Sequence, residues 1–252
     1  MEQRFLRKNF KMKKNKKITI KSMLWFLVLI ISIVLIVSPF VKNYIITSNT
    51  NKNQITKITK EQIEENKTKP ASYDWNSVQA IDTTSAIQLK DSPSDLPVIG
   101  GVTIPELEIN LPIFNGVSAE SLSFGAGTLS NNQVMGKGNY SLASHHIFGI
   151  ANANKLLFSP LDNAKKGQKI YITDKTKVYQ YNITDVYVVS PERIDVTNEV
   201  PGKTIITLIT CTDFNSTNRI IVQGELVAEY TYETMPEDAT KGFNMEYQTL
   251  SI

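Results

Sequence analysis

The chain holds a single cysteine, Cys211, and only two histidines, His145 and His146, which are adjacent. A thiol becomes a nucleophile when a neighbouring imidazole accepts its proton, and the same ring can later protonate a leaving amine. A lone cysteine closing an apolar run is also often a small packing residue, so its company decides. Adjacent residues on a strand point to opposite faces, so only one of the two histidines can meet the thiol. Arg219 stands eight residues beyond Cys211. Most arginines are solvated surface groups. One placed a loop beyond a nucleophile can instead hold an oxyanion, with a planar fork that stays charged at any working pH. Nucleophilic catalysis by an activated thiol is the chemistry these three residue types share. It requires no metal and no organic cofactor, because thiolate and imidazole supply nucleophile and proton transfer. One cysteine also excludes an intrachain disulfide framework and a Cys-rich zinc site.

Such side chains need a rigid frame. Cys211 ends the run Thr204-Ile-Ile-Thr-Leu-Ile-Thr-Cys, β-branched and apolar as a buried strand is. From about Ile81 onward, short β-rich runs alternate with Gly, Pro, Asn and Asp, the texture of an all-β barrel or sandwich. The expected strands are Pro97–Thr103, Leu107–Ile113, Gly138–His145, Gln168–Thr173, Val178–Val189, Thr204–Thr212 and Arg219–Tyr230. Short helices are expected near Ser118–Phe124 and Ala151–Phe158. Around Val178 the two faces do not separate by polarity, which predicts partial cover on both. The tail after Tyr230 carries no strong pattern.

The N-terminal region is of another kind. Met23 to Val41 is an uncharged apolar run bracketed by Lys21 and Lys42, and about 20 such residues of helix span a bilayer core. The run is longer than a signal-peptide core, and Ser-Pro-Phe-Val-Lys is a poor cleavage context, so an uncleaved anchor is expected. Residues 1–21 hold nine Lys and Arg against Glu2 alone, and the rest of the chain has 18 basic and 23 acidic side chains. The basic balance therefore belongs to a tail, and the body is no nucleic-acid binder. The positive-inside rule sets the N-terminus in the cytoplasm. The expected division is a cytoplasmic tail over 1–22, a transmembrane anchor over 23–41, a polar extracellular linker over 42–80 and a catalytic domain over 81–252. The protein is then single-pass in the cell membrane, with its catalytic domain outside.

Thr207-Leu-Ile-Thr-Cys211 looks like the TLxTC signature of sortases. Ser144-His145, with His145 placed 66 residues before Cys211, resembles the sortase histidine segment, and Arg219 sits where that family keeps an arginine. Asn139–Gly149 and Phe158-Ser-Pro-Leu-Asp162 also resemble the streptococcal class A enzymes. The likeness runs from about Ile81 to Tyr230 and implies an eight-stranded closed β-barrel with short helices. It implies that Cys211 is the nucleophile, His145 the general acid and base, and Arg219 the oxyanion donor. His146, where other members often have Thr, would modulate the site. Ala143 and Ser144 match groove positions, and Thr210 matches the residue beside the nucleophile. The loop Ser190–Lys203 would cover the substrate, with Ile194, Val196 and Val200 as candidate contacts. The implied partners are surface proteins with an LPXTG sorting signal and an amine of the cell-wall precursor lipid II. Some class A members bind Ca²⁺ through several carboxylates before the histidine strand. Gly125–Tyr140 contains none and contributes Lys137, so calcium independence is expected. From the residues alone, a Cys–His hydrolase using water remains open. So does a tethered β-domain in which Cys211 is only core.

Overall fold

The computed structural model describes residues 20–74, 96–149 and 152–247. The basic tail to residue 19 and the expected domain start at Ile81 lie outside them. Eight strands close into a barrel in the order β1-β2-β3-β4-β7-β8-β6-β5. They are β1 (Val98–Ile104), β2 (Ile109–Phe114), β3 (Ala126–Thr128), β4 (Asn139–Ala143), β5 (Lys169–Thr173), β6 (Lys177–Val189), β7 (Ile205–Cys211) and β8 (Arg219–Thr231). Neighbours are antiparallel except β2–β3 and β4–β7, which run parallel. The expected closed eight-stranded barrel is what the chain forms, and seven strands fall on the runs read from the sequence. The eighth, β3, is three small or polar residues long, too short to alternate.

Alternation sorts the strands into two packed faces. Val102, Leu111, Leu142, Ile172, Leu208 and Val222 fill the barrel interior. On the outer face of β4, β7 and β8, Ala143, Ile209 and Ile221 pack with Val117, Leu122, Leu129 and Val196. Leu122 belongs to helix α3 (Ala119–Phe124), begun by Ser118, whose hydroxyl accepts the Ser121 N–H at 3.1 Å. Around Val178, bulges at Gln180/Tyr181 and Ile183/Asp185 change the facing of β6. Val178 joins an outer cluster, whereas Tyr181 and Ile183 join the interior. Both faces are covered, as the weak alternation predicted. Instead of a helix at Ala151–Phe158 there are 3₁₀ turns at Ala153–Lys155 and Ser159–Asn163.

Two segments do more than the sequence suggested. Helix α1 (Ile20–Lys52) contains the apolar run and is long and apolar enough to cross a membrane. Residues up to Val37 form one compact unit, and Ser38 onward belongs to the unit that contains the barrel. Where a solvated linker is expected from residue 42, the described residues to 74 are built into that unit. Ile46 reaches the main core, and Ile45 packs with Val98, Phe114 and Phe124. Ile55 and Ile63, the latter on α2 (Lys60–Lys67), pack with Tyr171 and Val178 on the outside of β5 and β6. Polar side chains complete the seam. Asn66 donates to the Val98 carbonyl at 3.0 Å and Gln54 to that of Met245 at 2.9 Å. A solvated reading failed here because the apolar buried residues are only Ile45, Ile46, Ile55 and Ile63, and the others are Lys, Asn, Thr and Gln. The tail also docks. Helix α4 (Glu237–Phe243) places Ala239 and Phe243 in the same outer cluster.

Candidate active site

Strand β7 pairs with β8 so that Cys211 stands directly opposite Arg219. Opposed residues of an antiparallel pair share a face, with Cβ atoms about 4.5–5.5 Å apart. That face is the outer one, since Thr207, Ile209 and Cys211 alternate with the inward Ile206 and Leu208. On its other side β7 pairs in parallel with β4, from Asn139↔Ile205 to Ala143↔Ile209, every pair separated by 66 positions. His145 continues that ladder one outward step beyond Ala143, which brings it level with Cys211. The continuation is bonded: Ser144 N–H donates to the Ile209 carbonyl at 3.2 Å, and the Thr210 hydroxyl to the Ser144 carbonyl at 2.9 Å. By that register Cys211 and Arg219 stand opposite each other, and His145, two residues past the end of β4, continues toward the same end of the β4–β7–β8 outer face.

Each is held differently. Cys211 is partly buried and free of any disulfide. The His145 ring is largely enclosed and its Nε2 has no hydrogen-bond partner among the described residues. Burial lowers its pKa to about 4, helped by the Lys42 ammonium, so the ring is neutral at pH 7. Arg219 Nη1 donates to the carbonyls of Ser216 at 2.8 Å and Asn218 at 3.1 Å. The loop supplying those carbonyls is organised by Asp213, which accepts from the Thr217 and Thr212 hydroxyls and from the Asn215 and Thr217 N–H groups. These bonds, the Thr217 hydroxyl first, hold its carboxyl at about 2. The run Thr212-Asp-Phe-Asn-Ser-Thr, dense in turn-forming side chains, was the available signal for this role.

His146 turns elsewhere. Its Nε2–H donates to Asp162 at 2.8 Å, and its ring stacks on Phe148 with centroids 4.0 Å apart. Of the other expected substrate contacts, Ser144 and Thr210 are buried and bonded within the frame, the Ser144 hydroxyl to the Gly125 carbonyl. Ala143 is buried under the outer cluster. In the loop before β7, Ile194 is 78% exposed and Val200 41%, while Val196 is only 7% exposed. Val196 anchors that loop, since its carbonyl accepts from Asn139 Nδ2 at 3.1 Å and Gln223 Nε2 at 3.3 Å. Glu199 lies over Gly138, and among the described residues no cluster of three or more His, Cys, Asp or Glu is set to hold a metal ion.

A closed barrel with a thiol, an imidazole and a guanidinium at the end of one face defines a cysteine acyl-transfer enzyme. Comparison with known proteins gives the family. The sortase domain model matches residues 102–227. The chain is 44% identical to sortase A of Streptococcus agalactiae over 234 residues, 92% of this chain and 95% of that one. It is 35% identical to sortase A of Listeria monocytogenes over 208 residues, 82% of this chain and 91% of that one. The solved structure of Listeria monocytogenes sortase A superposes with a TM-score of 0.53 at 35% identity, covering 59% of this chain and 98% of that one. The chain therefore belongs to the sortase family, and within it to the sortase A-type transpeptidases that act on LPXTG-type signals.

Proposed function

We propose that Cys211 attacks the Thr carbonyl of an LPXTG signal and forms a thioester on the surface protein. The neutral His145 ring takes the thiol proton and delivers it to the departing Gly amine. Nη1 of Arg219 is tied to its loop, so the rest of the fork serves the tetrahedral oxyanion. An amine of the cell-wall precursor lipid II then resolves the thioester, with His145 as base. Of the loop residues, Ile194 and Val200 are exposed enough to touch a peptide, while Val196 holds the loop in place. The single observation that supports this reading most is the register, with Cys211 opposite Arg219 and His145 level with Cys211 on the same face.

Helix α1 anchors the enzyme in the cell membrane with its basic tail in the cytoplasm and the barrel outside. Anchoring raises the effective concentration of the enzyme where both substrates meet. The test is incubation of residues 38–252 with an LPXTG peptide and a small amine. The expected product carries the amine on the Thr carboxyl, and Cys211→Ala yields none. Cleavage that ignores the amine and releases only the free acid would leave a hydrolase instead.

A further inference from the structure

The sheet ends before the histidines do. β4 stops at Ala143, so His145, His146 and Ile147 follow it with no ladder partner of their own. Their geometry is fixed from two sides, by the Leu122 carbonyl, which accepts the His145 N–H at 3.4 Å, and by the 3₁₀ turn at Ser159–Asn163 with the residue before it. Phe158 N–H donates to the His145 carbonyl at 3.2 Å, and Ile147 N–H to the Ser159 hydroxyl at 2.8 Å. The third link is the His146–Asp162 pair at 2.8 Å, the only one of the three made between side chains. The His146 side chain is 6% exposed against 47% for Asp162. Its Nδ1 is enclosed and has no hydrogen-bond partner among the described residues. The ring therefore meets its polar need through Nε2 alone, on a carboxylate that can only accept. That bond sets the tautomer and, with the stack on Phe148, the rotamer of the residue directly after His145.

We propose that Asp162 is a positioning residue for transpeptidation, holding His145 level with Cys211 through its bond to His146. The proposal rests on the general acid–base role of His145. Without the Asp162 carboxylate, the buried ring must leave its stack to find a partner, and the backbone of His145 goes with it. Substrate binding is untouched, because neither Asp162 nor His146 stands on the outer face of β7 and β8.

The experiment uses the full chain in detergent micelles, with an LPXTG peptide and a small amine. Asp162→Ala is expected to lower kcat about tenfold to a hundredfold, the size of an ångström-scale misplacement of a reacting group, with KM for the peptide unchanged. Asp162→Asn, whose amide oxygen still accepts from Nε2–H, restores most of kcat. His146→Ala adds no further loss on top of Asp162→Ala, because the two act as one unit. Imidazole ¹⁵N spectra show the Nε2-protonated tautomer of His146 in the parent and its loss in Asp162→Ala. Normal kcat in Asp162→Ala, equal damage from Asn and Ala, or additive losses would each overturn the proposal. If His145→Ala keeps turnover, the role of His145 falls and the positioning role with it. If His145→Ala is inactive while Asp162→Ala is normal, the positioning role alone is refuted.

Discussion

Replacing Ile63 by Ala tests whether the segment after the membrane run is part of the catalytic unit. Ile63 is fully buried on α2, in a cluster with Ile55, Tyr171, Val178, Ala239 and Phe243. Its neighbours come from the preceding 3₁₀ turn, the barrel wall and α4, and three separate elements cannot collapse together onto one gap. Truncation of a buried Ile to Ala costs about 2–5 kcal/mol, with the higher values where the site does not relax. For a unit of roughly 200 residues, each kcal/mol moves Tm by about 2–4 °C, so Ile63→Ala is expected to melt about 4–20 °C lower. Glu65→Ala, two residues on and on the exposed face, is the control and should stay within about 0.5 kcal/mol. Differential scanning calorimetry of residues 38–252 reads both. Gly101 supplies an independent probe, since a Cβ there would meet Ile55 side-chain carbons at 2.8 Å, so Gly101→Ala also loosens the segment. Unchanged melting of Ile63→Ala, or of a chain beginning at residue 75, would return the segment to the status of a tether.

Four further outcomes are expected. Cys211→Ala removes the only thiol, and no peptide thioester is trapped by mass spectrometry while the melting curve is kept. Arg219→Lys keeps the charge but loses the fixed fork, and falls by about 10²–10³ in kcat, as loss of one oxyanion donor does elsewhere; near-normal turnover would show that charge alone suffices. His145, with its pKa lowered to about 4, is neutral when folded and takes up a proton on unfolding below about pH 6.5. Stability should therefore drop as pH falls from about 6.5 to 4, by up to about 3 kcal/mol, and this part of the slope should vanish in urea titrations of His145→Gln. Transpeptidation should be the same in excess chelator and in millimolar calcium, and a several-fold activation by calcium would reveal a site of other ligands.

How much of this was legible depended on how each element announces itself. β7 is β-branched except for Leu208 and Cys211, β8 opens on Arg-Ile-Ile-Val, and both were plain. β3 is Ala-Gly-Thr, and its strand character comes entirely from its neighbours, Ile113 and Phe114 on one side and Leu142 and Ala143 on the other. Helix α4 is seven residues with two apolar contacts, Ala239 and Phe243, too short for a period to show. Residues 42–67 read as solvated because their burial rests on isolated isoleucines and on buried Asn, Gln and Thr side chains bonded to backbone. At the site, residue types and spacing drew attention to Cys211, the histidine pair and Arg219, and the resemblance to sortases chose His145 of the pair. The sequence did not show that Ser144 and Thr210 turn inward, or that Val196 holds its loop by a carbonyl. Strand phase decides the first and a tertiary hydrogen bond the second. The partnership of His146 with Asp162 was equally hidden, being a contact across 16 residues of irregular chain.

The parallel ladder of β4 with β7 makes the alignment of His145 with Cys211 indifferent to the length of chain between them. One residue added within β4 slides that strand by about 3.3 Å and turns its side chains to the wrong face, which separates imidazole from thiol at a stroke. At Gly202, in the turn before β7, a Cβ would meet no atom within 4 Å, so that turn has open space in which to take up an added residue. Loop length between the histidine and the cysteine can therefore change while the strands keep count. A chain opened at Gly202 and rejoined elsewhere would carry the same three side chains to the same place.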